Sequence, residues 1–261
     1  KIPGIETLAQ STIAILEKKK LKVLDNEEYE IDSPTLGEEF DLCSDEPFFA
    51  QNSAAICSGI LIEPNKILTA GHCFKDEKLS RLAVVFGYSL LSPYMDLKRI
   101  KSKNVFIPKK VQYIKTRSQI DYAIVELTET VGPDHPPIEL EEIPDPETND
   151  ELFMLGHPSG LPLKVVDHGR ILEQNFARIL AQIDSFGGNS GSPVFNSRTQ
   201  KMLGILIEGA KDFTYDRSDK CYRSYKCDYF LCKGETITKI SAILKDLNKD
   251  LNKDVSGVSK K

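Results

Sequence analysis

Eight short apolar runs constrain this chain more than any other feature: "STIAIL", "AICSGILI", "KILTA", "RLAVVFGY", "DYAIVEL", "ELFMLGH", "SPVF" and "KMLGILI". Most are rich in β-branched residues, and turn-forming residues separate them. A chain punctuated in this way folds into antiparallel sheets, because no helical period lies between successive runs to carry a parallel crossover. One stretch differs. In "ETITKISAILKDLNKDL" the residues Ile237, Ile240, Ile243, Leu244, Leu247 and Leu251 recur at three- and four-residue intervals, the apolar stripe of an amphipathic helix. The expected fold is therefore all-β with a C-terminal α-helix over 236–252 and a polar tail over 253–261.

The 261 residues accommodate one large domain or two halves sharing a cleft. Residues 1–48, charge-rich from Leu16 onward, read as an N-terminal strap, and the proline- and acid-rich stretch 131–150 reads as a surface connection between halves. The chain opens "KIPGIETLAQ", so either a leader has been removed or this sequence omits one. Lys plus Arg number 34 against 39 Asp plus Glu, a net charge of −5 with no basic stripe, which argues against nucleic acid as a partner. No apolar stretch approaches the roughly 20 residues that span a membrane.

Three segments carry chemistry. "CSGILIEPNKILTAGHC" sets Cys57 and Cys73 sixteen positions apart, with His72 directly before the second cysteine. If the two runs pair, a disulfide pins His72 where a strand ends, and closing a loop of that size stabilises by roughly 3 kcal/mol on the chain-entropy model. "SQIDYAIVEL" puts Asp121 at the mouth of an apolar strand. "DSFGGNSGSPVF" frames Ser190 with Gly187, Gly188 and Gly191, whose missing side chains leave the neighbouring amides uncovered. Serine nucleophilic catalysis needs a hydroxyl, a base within reach and a group that orients the base; Ser190, His72 and Asp121 fill those roles, and the N–H groups of Gly188 and Ser190 can form the oxyanion hole. Singly, each residue suits a turn or a strand end. Together, in one chain, they point to a site.

"TAGHC", "DYAIVEL" and "GGNSGSPVF", in the order His, Asp, Ser, resemble the trypsin/chymotrypsin-fold serine peptidases, and are closest to the bacterial branch that contains the glutamyl endopeptidases. The resemblance spans about residues 50–210 and implies two six-stranded antiparallel β-barrels, with His72 and Asp121 from the first (49–130) and Ser190 from the second (131–235). An α/β-hydrolase would run Ser, Asp, His. The same resemblance implies a secreted serine endopeptidase that needs no metal or cofactor. Its partners would be protein or peptide substrates, met as a monomer. The competing reading is a binding protein that keeps the fold without turnover.

For specificity, the resemblance puts Asp184, six residues before Ser190 and followed by Ser185, at the bottom of a pocket for Arg or Lys. Glutamyl or broad specificity is the alternative, but the histidine that marks the glutamyl branch is replaced by Leu206. Glu208 stands near the pocket entrance, the strand from Leu206 to Gly209 is expected to pair with the substrate backbone, and the insert 211–233 is expected to form the rim. Asn189 stands where trypsin-like zymogens carry an aspartate, so activation by an N-terminal salt bridge is not expected. His135, His157 and His168 read as structural or surface residues. Cys221, Cys227 and Cys232 lack the short knuckle spacing of structural zinc; with Cys43 they allow three disulfide connectivities, and paired cysteines imply a secreted or periplasmic location.

Overall fold

The computed structural model describes residues 2–24, 27–75, 78–90, 92, 97–117, 120–226 and 233–257. Six strands, Glu151–Gly156, Lys164–Gln174, Arg178–Gln182, Glu235–Lys239, Met202–Glu208 and Pro193–Asn196, hydrogen-bond in that order into a closed barrel. The first half is an open seven-stranded sheet in the order Val105–Phe106, Leu82–Phe86, Thr12–Glu17, Ala55–Glu63, Lys66–Thr69, Ile120–Leu127 and Pro108–Arg117. The fold is all-β as expected, but only the second half closes by hydrogen bonds.

Two expected boundaries move. Thr12–Glu17, assigned to the strap 1–48, is an inner strand of the first sheet: Ala14 pairs with Ser58 on one side and Val85 on the other. Its run "TIAIL" is continuously apolar because both faces are covered. Ile13 and Ile15 enter the main core, whereas Ala14 and Leu16 enter a second cluster with Leu21, Ile31 and Tyr88. Likewise, the expected helix 236–252 begins at Ile240; Glu235–Lys239 is the barrel strand between Arg178–Gln182 and Met202–Glu208. The alternation of Ile237 and Thr238 serves a strand, and the helical stripe starts only after it. Ile240 and Ile243 then bury in the main core, with Leu244 and Leu247 packed against it.

The remainder of the strap crosses to the barrel. A capping box between Thr35 and Glu38 starts the helix Leu36–Phe40, and a disulfide joins Cys43 to Cys221 on the hairpin Phe213–Asp216/Cys221–Ser224. Cys57 bonds Cys73, as the spacing suggested. Cys227 and Cys232 lie outside the described residues. Among the described residues no helix is long and apolar enough to cross a membrane.

The position of Thr12–Glu17 has a direct test. Ile15→Ala is expected to destabilise the protein by about 2–5 kcal/mol, the cost of a cavity in a packed core; a loss near zero in chemical denaturation would return this segment to an exposed strap.

Candidate active site

His72 lies on the single turn Gly71–Cys73 that ends the strand Lys66–Thr69, and Asp121 opens the adjacent strand Ile120–Leu127. Both carboxylate oxygens of Asp121 engage His72: Oδ1 accepts its backbone N–H at 3.1 Å and Oδ2 meets Nδ1 at 2.7 Å. A donor role at Nδ1 leaves the lone pair on Nε2, pointing away from the carboxylate. Gly71 makes the approach possible, since a Cβ there would lie 2.1 Å from the Lys115 carbonyl and 2.7 Å from Asp121 Oδ1. Asp121 is mostly buried whereas His72 keeps 40% side-chain exposure, so the base faces the open side. Thr238 of the barrel strand donates its hydroxyl to the Asp121 carbonyl at 3.1 Å, which ties this pair to the second half.

Ser190 comes from the barrel half. Its carbonyl accepts the Ser58 N–H at 2.8 Å and lies 3.9 Å from Cys73 Sγ, so the nucleophile turn rests against the Cys57–Cys73 disulfide beside His72. Neither Ser190 Oγ nor His72 Nε2 has a hydrogen-bond partner among the described residues. Such contacts tighten when substrate binds. The Gly187 carbonyl accepts the Ser159 N–H at 2.5 Å. Across the same trans peptide, the Gly188 N–H must point the opposite way. Neither that N–H nor the Ser190 N–H is engaged among the described residues, which leaves two amide donors, two residues apart, beside the serine. Gly188 at φ +89 and Gly191 at φ +87 hold left-handed conformations, and a Cβ on Gly191 would lie 2.2 Å from the Ser58 carbonyl.

The pocket residues sort differently from expectation. Asp184 is exposed, although partial desolvation of its carboxylate raises its pKa against a hydrogen bond from the Ser185 N–H. Glu208 and Gly209 lie exposed at the strand end. Leu206, expected to meet substrate, is buried in the barrel core, its N–H given to the Ser192 carbonyl and its own carbonyl receiving the Gly191 N–H, so its backbone is spent within the barrel. The sequence reading also missed Glu235. Burial, with Asp212 and Asp184 nearby, pushes its carboxyl up to about 7, opposed by a hydrogen bond from the Ala210 N–H.

Other expected structural residues hold their places. His157 is buried, stacked on Tyr88, with Nδ1 bonded to the Leu161 carbonyl, and burial lowers its pKa to about 4. Asn189 is buried, its Oδ1 accepting the Ser192 hydroxyl at 3.4 Å. Cys57, His72 and Cys73 are the one set of metal-type donors that converges among the described residues. Its sulfurs are consumed in the disulfide, so it has no thiolate to offer.

The profile of the trypsin-like peptidase domain matches residues 57–205, more than half of the chain. A curated relative, the glutamyl endopeptidase of Bacillus licheniformis, is 25% identical over 157 residues. The match covers 58% of this chain and 48% of that protein, so this chain spans about half the length of its relative. The Rv3671c protease of M. tuberculosis in its active form has a TM-score of 0.55 at 16% identity, covering 95% of this chain and 84% of that one. A scabies mite inactivated protease paralogue has the same TM-score, 0.55, at 14% identity, covering 95% and 96%. At such identities the likeness to solved structures speaks for the fold alone.

Glu235 makes a measurable demand on stability. Its proton is held to about pH 7 in the folded state and released near 4.5 in the unfolded chain, so its contribution falls as pH rises through that window. Near pH 8, Glu235→Gln is expected to be more stable than the wild type by about 2 kcal/mol, with the difference vanishing below about pH 4. Paired denaturation curves at the two pH values check this, and a pH-independent difference would reject it.

Proposed function

The chain belongs to the trypsin-like peptidase domain family, and from that premise we propose that it is a serine endopeptidase, exported to an oxidising compartment outside the bacterial cytoplasm. The observation that carries the reading is the pairing of both Asp121 oxygens with His72, beside a serine turn whose Gly188 and Ser190 amides are unspent. Ser190 attacks the peptide carbonyl as His72 Nε2 takes its proton. Asp121 holds the ring and stabilises the imidazolium. The Gly188 and Ser190 amides meet the oxyanion of the tetrahedral intermediate, a contribution of about 2.7–4 kcal/mol per donor in another serine protease. His72 then protonates the leaving amine, and water hydrolyses the acyl-enzyme by the same steps in reverse.

A preference for Arg or Lys before the scissile bond fits Asp184 and Glu208 on the barrel side of the cleft. A glutamate preference, suggested by the Bacillus relative, is disfavoured by Leu206 in place of a histidine and by the acids already lining this region. Two disulfides support the exported location. Because an inactivated paralogue has the same fold, the fold alone does not carry turnover; the site does.

A fluorophosphonate probe is expected to label the wild type at Ser190 and to leave Ser190→Ala unlabelled. Asp121→Asn should slow peptide turnover by about 10⁴-fold, as when the orienting carboxylate of such a triad is neutralised elsewhere. An unlabelled, folded wild type would leave the non-catalytic binding protein as the better reading.

A further inference from the structure

A cavity of about 210 Å³ lies behind the nucleophile turn, lined by Gln182, Ile183, Asp184, Ser185, Ala210 and Glu235 among others. Three carboxylates address this region from three segments: Asp184 precedes the nucleophile turn, Asp212 follows the strand Met202–Glu208, and Glu235 begins the last barrel strand. Glu235 is only 6% exposed. Its Oε1 accepts the Ala210 N–H at 3.1 Å, while Oε2 is buried with no hydrogen-bond partner among the described residues. The Ser185 side chain lies close enough to the carboxylate to act on it as a hydrogen-bond donor and oppose the rise in its pKa. Gly209 leaves the space that Oε2 occupies, since a Cβ there would come within 2.3 Å of it.

A buried carboxylate without a partner is costly, and a second and third acid nearby increase the cost. Among the described residues no cation pairs with it. Lys211, which lines the same cavity, holds its ammonium 5.7 Å above the Tyr225 ring and forms no ion pair with the three acids among the described residues. A bound metal ion does not fit either, because these carboxylate oxygens do not converge to ligating distance among the described residues. What fits is a long side chain with a cationic end.

We propose that Glu235 is the specificity-determining acid for this site: its free oxygen receives the guanidinium or ammonium of the residue before the scissile bond, with Asp184 assisting from the rim. The assignment deepens the peptidase reading and rests on it, and it moves the main recognition from the exposed acid six residues before Ser190 to a buried one that no motif marks. Gly209 is then part of the pocket, opening its wall for the carboxylate.

Benzamidine and its uncharged relative benzamide test the pocket without turnover. By calorimetry near pH 8, the wild type is expected to bind benzamidine well above benzamide. Glu235→Gln should lose about 100-fold of the benzamidine affinity, the size expected on removing one partner of a desolvated charge pair. Asp184→Asn should lose less, and Glu235→Asp, which keeps the charge but shortens its reach, should fall between wild type and Glu235→Gln. The same order is expected for selectivity between peptides carrying Arg and the neutral isostere citrulline. Equal binding of benzamidine and benzamide by the wild type, unchanged affinity in Glu235→Gln, or a larger loss in Asp184→Asn would each overturn the proposal. A wild type that binds benzamidine in this way but is not labelled at Ser190 would refute the peptidase reading and leave Glu235 as the cation receptor.

Discussion

One buried side chain, Ser58, joins the two halves at the site. Its N–H holds the Ser190 carbonyl, its hydroxyl donates to the Gly188 carbonyl at 2.9 Å, and its oxygen accepts the His157 N–H at 3.0 Å. These contacts fix both ends of the Gly188–Ser190 segment against the strand Ala55–Glu63. The neighbouring residue Cys57 bonds Cys73, next to His72. His72 and Ser190 are thus referenced to two consecutive residues of one strand, and relative motion of the halves is resisted where it would separate them. In a buried setting each such hydrogen bond is expensive to leave unmade, and the approach depends on Gly191, since a Cβ there would lie 2.2 Å from the Ser58 carbonyl.

The outer side of the nucleophile turn is held by different means. Asn189 is neutral, so no ion pair to an amine orders it. Instead the strap lies across this region, fastened by Cys43–Cys221 and by Arg223, whose guanidinium meets Asp45, Asp216 and Asp219. Beneath it, Phe40 packs on Phe213 and Phe213 on Phe186, four residues before Ser190. Asp212, next to Phe213, accepts the Gly187 N–H at 2.8 Å. A covalent link, a charge cluster and an aromatic chain therefore all bear on the segment that carries the Gly188 and Ser190 amides. This explains why a long, polar, weakly patterned stretch is ordered: it has the barrel to lie on, and a disulfide whose loop spans most of the chain.

Which parts of this could be read in the sequence follows from how local their causes are. Strand runs were legible because period and composition are local, and His72, Asp121 and Ser190 were legible because each sits in a short motif. Thr12–Glu17 was visible as a strand run yet misassigned to the strap, because what makes it an inner strand is partners 39 to 73 residues away. The start of the last helix slipped for a related reason: Ile237 fits both a strand alternation and a helical stripe, and only barrel closure decides. Leu206 was misread because an apolar residue beside a pocket looks the same as one beneath it. Glu235 carried no signal at all. In "KGETITK" it is one acid among many, and its burial arises only when Gly209, 26 positions earlier, folds against it.

The acids behind the nucleophile turn also bear on how recognition and chemistry are coupled. Asp212 is raised in pKa by burial, and it is the group that holds the Gly187 N–H, one peptide away from the Gly188 amide. Glu235 and Asp212 share a field, so a cation that neutralises one makes ionisation of the other less costly. Asp212 thus ties the electrostatics of the cavity to the backbone of the nearby turn, because the oxygen that feels the field of Glu235 also holds the Gly187 N–H. A cation bound beside Glu235 would lower the cost of ionising Asp212 as well, so by linkage pocket occupancy and the Gly187 peptide that Asp212 holds would be coupled, and recognition in the pocket would not be independent of the geometry of the turn.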